Sequence, residues 1–207
     1  VNPFNYKQVT AFSLLPEDVD GMVFWTKNPK PFMRHLSQLD DKGYMYYVQY
    51  TLNDYPEIFE PNLPLAASRV DYFRELSERL GANRVIWRYD PIIISNITPV
   101  EYHLERLERL AGQLEGYTHR LVISFMDYYG KTVARFNKLQ QNHAVLCTDI
   151  TLPEYREQLD EFAANISRIG AAHGISVATC SEAADLEHCG IRHGSCIDAR
   201  LLSSIIG

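Results

Sequence analysis

Five short apolar runs in this chain each lead directly into groups able to do chemistry. Met22-Val23-Phe24-Trp25 is followed by Thr26, Lys27 and Asn28, and Tyr46-Tyr47-Val48 by Gln49, Tyr50 and Thr51. Val85-Ile86-Trp87 runs into Arg88, Tyr89 and Asp90. Leu121-Val122-Ile123 runs into Ser124, Phe125, Met126, Asp127 and Tyr128, and Ile175-Ser176-Val177-Ala178 into Thr179, Cys180, Ser181 and Glu182. If the runs are parallel strands, their carboxyl ends open on one rim. An amine, an amide, a guanidinium, three carboxylates and a thiol then converge there. Lys27, Arg88, Asp90, Asp127, Cys180 and Glu182 are the catalytic candidates; Asn28, Gln49, Tyr50 and Ser124 are candidates for holding a cofactor or substrate. A plainer alternative is that such loops carry Asp, Asn, Ser and Thr as turn formers and caps. It has most force for Asn28 and Asp90, each followed by proline. Lys27, Gln49 and Arg88 are not turn residues; their structural alternative is a buried ion pair, such as Arg88 with Asp127 or Glu182, or a rim amide bonded to backbone.

The cysteines offer a second chemistry. His188, Cys189, His193 and Cys196 fall within nine residues, with Cys180 just before. The gaps fit no standard zinc signature, in which paired ligands lie two to four residues apart. Cys180 and Cys196 are the candidate metal thiolates; Cys180 can equally be a radical-relay thiol or a small buried hydrophobe, and Cys147 reads as structural. His35, His103, His119, His143 and His173 read as surface residues. Tyrosines at 44, 46, 47, 50, 55, 89, 128 and 129 could stack on a base or nucleoside. Strand packing explains them better, with Tyr44, Tyr46 and Tyr50 on one strand face.

The elements that must position these groups are legible from punctuation. Four of the five runs lack polar alternation, as parallel strands covered on both faces should. Asn28-Pro29 reads as a helix start, and Phe32, Leu36 and Leu39 share a face up to Gly43. Ala66, Val70, Phe73, Leu76 and Leu80 do the same up to Gly81. Thr98-Pro99-Val100-Glu101 and Thr151-Leu152-Pro153-Glu154 read as capping boxes, opening helices that run to Gly116 and Gly174. A short helix from about Lys131 to Leu139 is followed by an insertion that could act as a lid. Strand, helix, strand repeated five times predicts an α/β fold. With no GxGxxG or GxxxxGK[ST] loop, the nucleotide-loop forms of an open sheet lose support. The expected architecture is a single barrel-like domain over 1–207, a partial TIM-type (β/α) barrel of parallel strands with outer helices, because a full eight-fold barrel takes about 250 residues.

Composition sets the outer bounds. The 207 residues carry 20 basic and 26 acidic side chains, a net charge of −6, and no block of like charge. That disfavours a bulk electrostatic grip on nucleic acid or an anionic membrane. No apolar stretch approaches the roughly 18 to 20 residues that cross a bilayer, and no leader opens the chain, so the expected setting is cytoplasmic. Four cysteines are too sparse for a disulfide scaffold. The chain enters on the turn-like Val1-Asn2-Pro3-Phe4-Asn5, which suggests numbering from inside a longer protein.

Several separated phrases together carry a resemblance. Phe24-Trp25-Thr26-Lys27-Asn28-Pro29, Gln49-Tyr50-Thr51-Leu52, Trp87-Arg88-Tyr89-Asp90-Pro91-Ile92, Ile123-Ser124-Phe125, Cys180-Ser181-Glu182 and Gly194-Ser195-Cys196-Ile197-Asp198 resemble, in order, the bacterial family catalogued as domain of unknown function 1848. The resemblance implies a longer protein, with an additional strand and a Ser-x-Arg-x-Asp type motif upstream. Downstream it implies a cysteine cluster similar to the CxxxCxxC motif of radical S-adenosylmethionine enzymes. It therefore implies a four-iron iron-sulfur cluster and S-adenosylmethionine as cofactors, an electron donor as partner, and cluster ligands outside this chain, which contains neither CxxxC nor CxxC. In that scheme Lys27 or Arg88 binds the methionine carboxylate or an anionic substrate, Gln49 a ribose or amide, and Glu182 or Asp90 the amino group.

Three functional readings follow. One is the barrel portion of a radical S-adenosylmethionine-like enzyme acting on a small-molecule or nucleotide-like substrate. Another is a divalent-metal barrel enzyme with Asp90, Asp127, Glu182 and a histidine as ligands. The third is a non-catalytic nucleotide or nucleic-acid binding domain using the tyrosines with Lys27 and Arg88.

Overall fold

All five apolar runs become strands, because β-branched and aromatic side chains pack best on a pleated, buried surface. In a computed structural model, residues 7, 9, 11–180, 182 and 184–206 are described; the opening turn at Val1 to Asn5 and Ser181 lie outside them. The strands are β1 (Met22–Thr26), β2 (Tyr46–Thr51), β3 (Val85–Ile92), β5 (Arg120–Phe125) and β7 (Ser176–Cys180). A sixth, β8 (Arg192–Gly194), was not anticipated. They form one parallel sheet in the order β1-β2-β3-β5-β7-β8. The order follows the chain without reversal, so the sheet has no topological switch point of the kind where open doubly wound sheets bind ligands. Two further short strands, β4 (Ile94–Ser95) and β6 (Cys147–Thr148), pair antiparallel beside it.

Period-two alternation divides the sheet residues between two faces. On one face Tyr46, Val48, Tyr50, Val85, Trp87, Tyr89, Leu121 and Ile123 meet the apolar stripes of α3 (Ala66–Leu80), α4 (Val100–Leu114) and α6 (Arg156–Ala172). Phe73, Leu76, Leu107, Leu110, Phe162 and Ile166 are the buried knobs of those helices. Each is worth roughly 1.5–3 kcal/mol of burial. Gly81 (φ +90°) and Gly174 (φ +67°) end α3 and the turn after α6 in a backbone region that L side chains avoid, which turns the chain into the next strand. The other face, hereafter the inner face, carries Val23, Tyr47, Ile86, Val122 and Cys180. It is covered by a different element, the C-terminal helix α7 (Ala199–Ile206), through Leu201, Leu202 and Ile205. No described helix is long and apolar enough to cross a membrane.

Several local expectations fail for identifiable reasons. The helix foreseen after Asn28 breaks into α1 (Lys30–Met33) and α2 (Leu36–Asp41). Neither capping box forms. Pro99, not Thr98, takes the N-cap position of α4, and the Thr98 hydroxyl instead donates to Ile93 O at 2.8 Å. The Thr151 hydroxyl turns back to Asp149 Oδ1 at 2.6 Å, and a 3-10 turn at Pro153–Tyr155 separates it from α6. The helix placed at Lys131 to Leu139 is longer, α5 (Gly130–His143).

His103 is not at the surface. It is fully buried on α4, with Nε2 3.0 Å from Ile93 O and Nδ1 2.8 Å from the Tyr89 hydroxyl. A carbonyl can only accept, so the proton sits on Nε2 and Nδ1 accepts from Tyr89. Burial pushes this imidazole down to about 4 from 6.5, against the opposing pull of the Ile93 and Thr98 backbone. The unfolded chain therefore binds a proton that the native state refuses. The stability associated with neutral His103 is complete above pH 6.5 and drains away as pH falls toward 4, by about 3 kcal/mol at most. Urea midpoints measured at pH 7 and pH 4.5 should fall less in His103→Gln than in the wild type; equal falls would remove His103 as the source.

Candidate functional site

The same alternation decides which strand-end residues meet. Gln49, Thr51, Arg88, Asp90, Ser124 and Cys180 occupy inner-face positions, whereas Tyr50 falls on the opposite face. Its hydroxyl donates to Arg69 O at 2.9 Å and its ring stacks on Phe73 at 5.3 Å, so Tyr50 belongs to the core and is withdrawn from the cofactor-binding candidates. Parallel register places Thr51 beside Arg88 and Arg88 beside Val122.

Arg88 is the hub of the inner face. Only 6% exposed, its Nε donates to Asp90 Oδ2 at 2.8 Å, its Nη2 reaches the same oxygen, and its Nη1 donates to Gln49 Oε1 at 2.5 Å. The guanidinium also interacts electrostatically with the Cys180 thiol. Asp90 additionally accepts from the Thr51 hydroxyl at 3.3 Å. The structural alternative to a ligand role for Arg88 was an ion pair such as that with Asp127 or Glu182; the ion pair forms with Asp90 instead, because residues two apart on a strand share a face. Gln49 is bonded at both ends, its Nε2 donating to Cys196 O at 2.5 Å. Arg88, Asp90 and Gln49 thus satisfy one another and the chain, which leaves them poorly disposed to grip a ligand.

The remaining strand-end candidates lie at the rim, around two adjoining cavities. A cavity of about 510 Å³ is lined by Lys27, Asn53, Tyr55, Glu60, Ser124 and Asp127, and is walled on one side by Lys131, Arg135 and Phe136 of α5. Lys27 Nζ bonds Glu60 Oε1 at 2.6 Å. Glu60 Oε2 and Asn53 Oδ1 are buried without a hydrogen-bond partner. Arg69, also buried, gives one nitrogen to Asn53 O and approaches Glu60 Oε2 at 3.7 Å, while its Nε and Nη1 have no hydrogen-bond partner. A second cavity, about 530 Å³, shares Asp127 and adds Asp149, Arg156 and Glu182. Glu182 Oε1 accepts from Phe125 N at 2.7 Å. Burial pushes its carboxyl above the usual range; the Phe125 amide opposes this, and Asp127 and Asp149 add to it. Asn28 takes the structural role, its side-chain oxygen accepting from Lys30 N at 3.3 Å at the start of α1.

The thiols do not gather into a cluster site. Cys180 and Cys196 approach to 3.2 Å, but Cys147 lies on β6 and Cys189 beside α6. No three thiols converge among the described residues, so these cysteines do not fit a four-iron cluster, which needs three from one chain or its partner. Among the described residues, the three metal-type ligands whose donor atoms do lie together are Asp160, His188 and Cys189, all within 4.8 Å. Arg156 already holds the Asp160 carboxylate at 3.0 Å, placing a cation where a metal would compete. His193 and Cys196 are not in that group. Among the described residues, Asp90, Asp127, Glu182 and a histidine do not come together as a group of metal-type ligands.

The family model for the domain of unknown function DUF1848 matches residues 1–207. The chain belongs to that family. No curated protein and no solved structure matches it. In this DUF1848 chain, sequence reasoning missed Glu60, Asn53 and Arg69, which come from the long loop after β2 and from α3. A partly polar loop before a helix gives no signal of inward projection. It also missed Arg120 and Asp198, an ion pair across the inner face.

If Arg88 is the hub, Arg88→Met should leave Asp90 buried and uncompensated, at a cost of about 3–5 kcal/mol. Adding Asp90→Leu to Arg88→Met should recover most of that. Denaturant unfolding of both variants decides the matter: a single variant as stable as wild type would refute the hub.

Proposed function

We propose that this DUF1848 chain is the barrel wall of an enzyme that binds a small zwitterionic or anionic ligand at the carboxyl ends of its strands. The observation that carries the reading is the rim cavity, where the Lys27 amine bonds Glu60 and two lining residues, Glu60 and Asn53, each keep a buried acceptor without a hydrogen-bond partner. Buried polar atoms are normally paired, so a cavity lined by orphaned ones suits a polar occupant. An amino-acid end supplies both complements: its carboxylate for Lys27, its ammonium for Glu60 and Asn53. Lys131 and Arg135 add positive charge for a second anionic group. The strictly sequential parallel order and the placement of α3, α4 and α6 on one face support a (β/α) barrel wall over an open sheet, and barrel sites sit at this end.

The radical S-adenosylmethionine likeness is compatible with such a ligand. Because the described thiols do not fit the cluster, its ligands would have to come from outside these residues. The divalent-metal reading loses Asp90 to Arg88, and the base-stacking reading loses Tyr46 and Tyr50 to the core.

Calorimetric titration with S-adenosylmethionine, methionine and adenosine tests the ligand class. The two amino-acid-bearing probes should bind, and Lys27→Ala and Glu60→Gln should each weaken them at least tenfold, about 1.4 kcal/mol. No heat from any probe, or unchanged affinity in both variants, would overturn the proposal. Separately, anaerobic reconstitution of the 207-residue chain with iron and sulfide should leave it colourless. A brown product with about four irons per chain would mean that the cysteines rearrange into a cluster site.

A further inference from the structure

One pair of reactive groups remains outside the reading above. Cys180 ends β7, and Cys196 follows β8 by two residues. Three features bring them together. The β7–β8 register places Gly194 beside Cys180. Gly194 lies so close to β7 that a Cβ there would stand 2.4 Å from Thr179 O, an approach only glycine permits. Beyond it, the Ser195 hydroxyl donates to Ile197 O at 2.7 Å and Gln49 bonds Cys196 O, which folds the chain back over the end of β7. The result is an Sγ to Sγ separation of 3.2 Å. A disulfide needs about 2.05 Å, so a movement of about 1 Å closes the bond.

The two thiols are unequal. Cys180 is buried and Cys196 exposed. Burial raises the Cys180 thiol and the nearby Cys196 adds to this, with the Arg88 guanidinium opposing. Thiol exchange requires access for the first step and proximity for the second, and this pair offers one of each.

We propose that Cys180 and Cys196 are a thiol–disulfide exchange site for low-molecular-weight disulfides such as glutathione disulfide, with Cys196 attacking and Cys180 resolving. The Cys196 thiolate attacks one sulfur of the external disulfide, forming a mixed disulfide and expelling one thiolate. Cys180 then loses its proton to solvent, with Arg88 facing the developing charge, and attacks Cys196 Sγ, expelling the second thiolate. Two protein thiols are oxidised by two electrons, and one external disulfide is reduced to two thiols. The new bond ties the end of β7 to the segment that leads into α7. There Asp198 N bonds the Tyr47 hydroxyl at 3.1 Å and Leu201 packs on the sheet. Oxidation therefore fastens α7 over the inner face, and reduction frees it to lift. This holds whichever ligand the rim binds.

The test is equilibration in glutathione disulfide, followed by acid quench, intact mass and peptide mapping of the wild-type chain. Expected are the loss of two hydrogens, a linked Cys180–Cys196 peptide pair, reversal by dithiothreitol, and slower proteolysis within residues 197–206 in the oxidised form. Cys180→Ser should trap a glutathione adduct on Cys196. Cys196→Ser should leave Cys180 unmodified, and Cys147→Ser and Cys189→Ser should behave as wild type. A lasting glutathione adduct on wild-type Cys196, a disulfide joining any other pair, or four unreacted thiols would overturn the proposal, and these outcomes need no variant to fold.

Discussion

The inner face of this sheet is organised by one buried positive charge. A guanidinium cannot be neutralised at accessible pH and presents five donors in a fixed plane, so a strand that buries Arg88 must supply acceptors on the spot. Asp90 supplies the countercharge from the same strand and Gln49 a neutral oxygen from the neighbouring one. Because Gln49 is oriented by Arg88, its amide nitrogen is aimed outward, and it takes the Cys196 carbonyl. A charge on the third strand thereby helps position a segment more than a hundred residues later. The ion pair of Arg120 with Asp198 adds a second anchor, and Asp198 in turn caps the first turn of α7 through Leu201 N at 2.9 Å.

This arrangement separates two kinds of polarity that look alike in the sequence. On the inner face Gln49, Thr51, Arg88 and Asp90 satisfy one another, Arg120 pairs with Asp198, and these groups serve architecture. At the rim, Lys27, Glu60, Asn53, Asp127 and Glu182 line open space, and some of their neighbours keep buried atoms unpaired. Satisfied groups hold a shape, whereas unsatisfied groups beside a cavity are the ones with free energy left to give to a ligand. Helix α5 contributes to the rim cavity through Lys131, Arg135 and Phe136.

Much of the scaffold was legible in advance. Strand runs such as Val85-Ile86-Trp87, the stripe Val70, Phe73 and Leu76, and the glycines at 81 and 174 report local preference, and local preference survives folding wherever burial agrees with it. The capping boxes at Thr98 and Thr151 failed because a hydroxyl chooses among several nearby backbone acceptors, and the winner depends on where the helix starts. His103 was misread because its helix face is apolar enough to bury an imidazole only when Tyr89 and Ile93 arrive to bond it.

The candidate site divides along the same line. Sequence by itself determined that polar groups follow each strand, and the period of the strand then placed Gln49 with Thr51 and Arg88 with Asp90, and Tyr50 away from them. Tertiary structure alone decided that Arg88 pairs with Asp90, that Glu60 from a distant loop meets Lys27, and that Cys196 returns to Cys180. The reason is physical: facing along a strand is a local property of the backbone, whereas pairing between strands and loops depends on register, close approach at Gly194 and the competition among acceptors, none of which exists until the chain is packed.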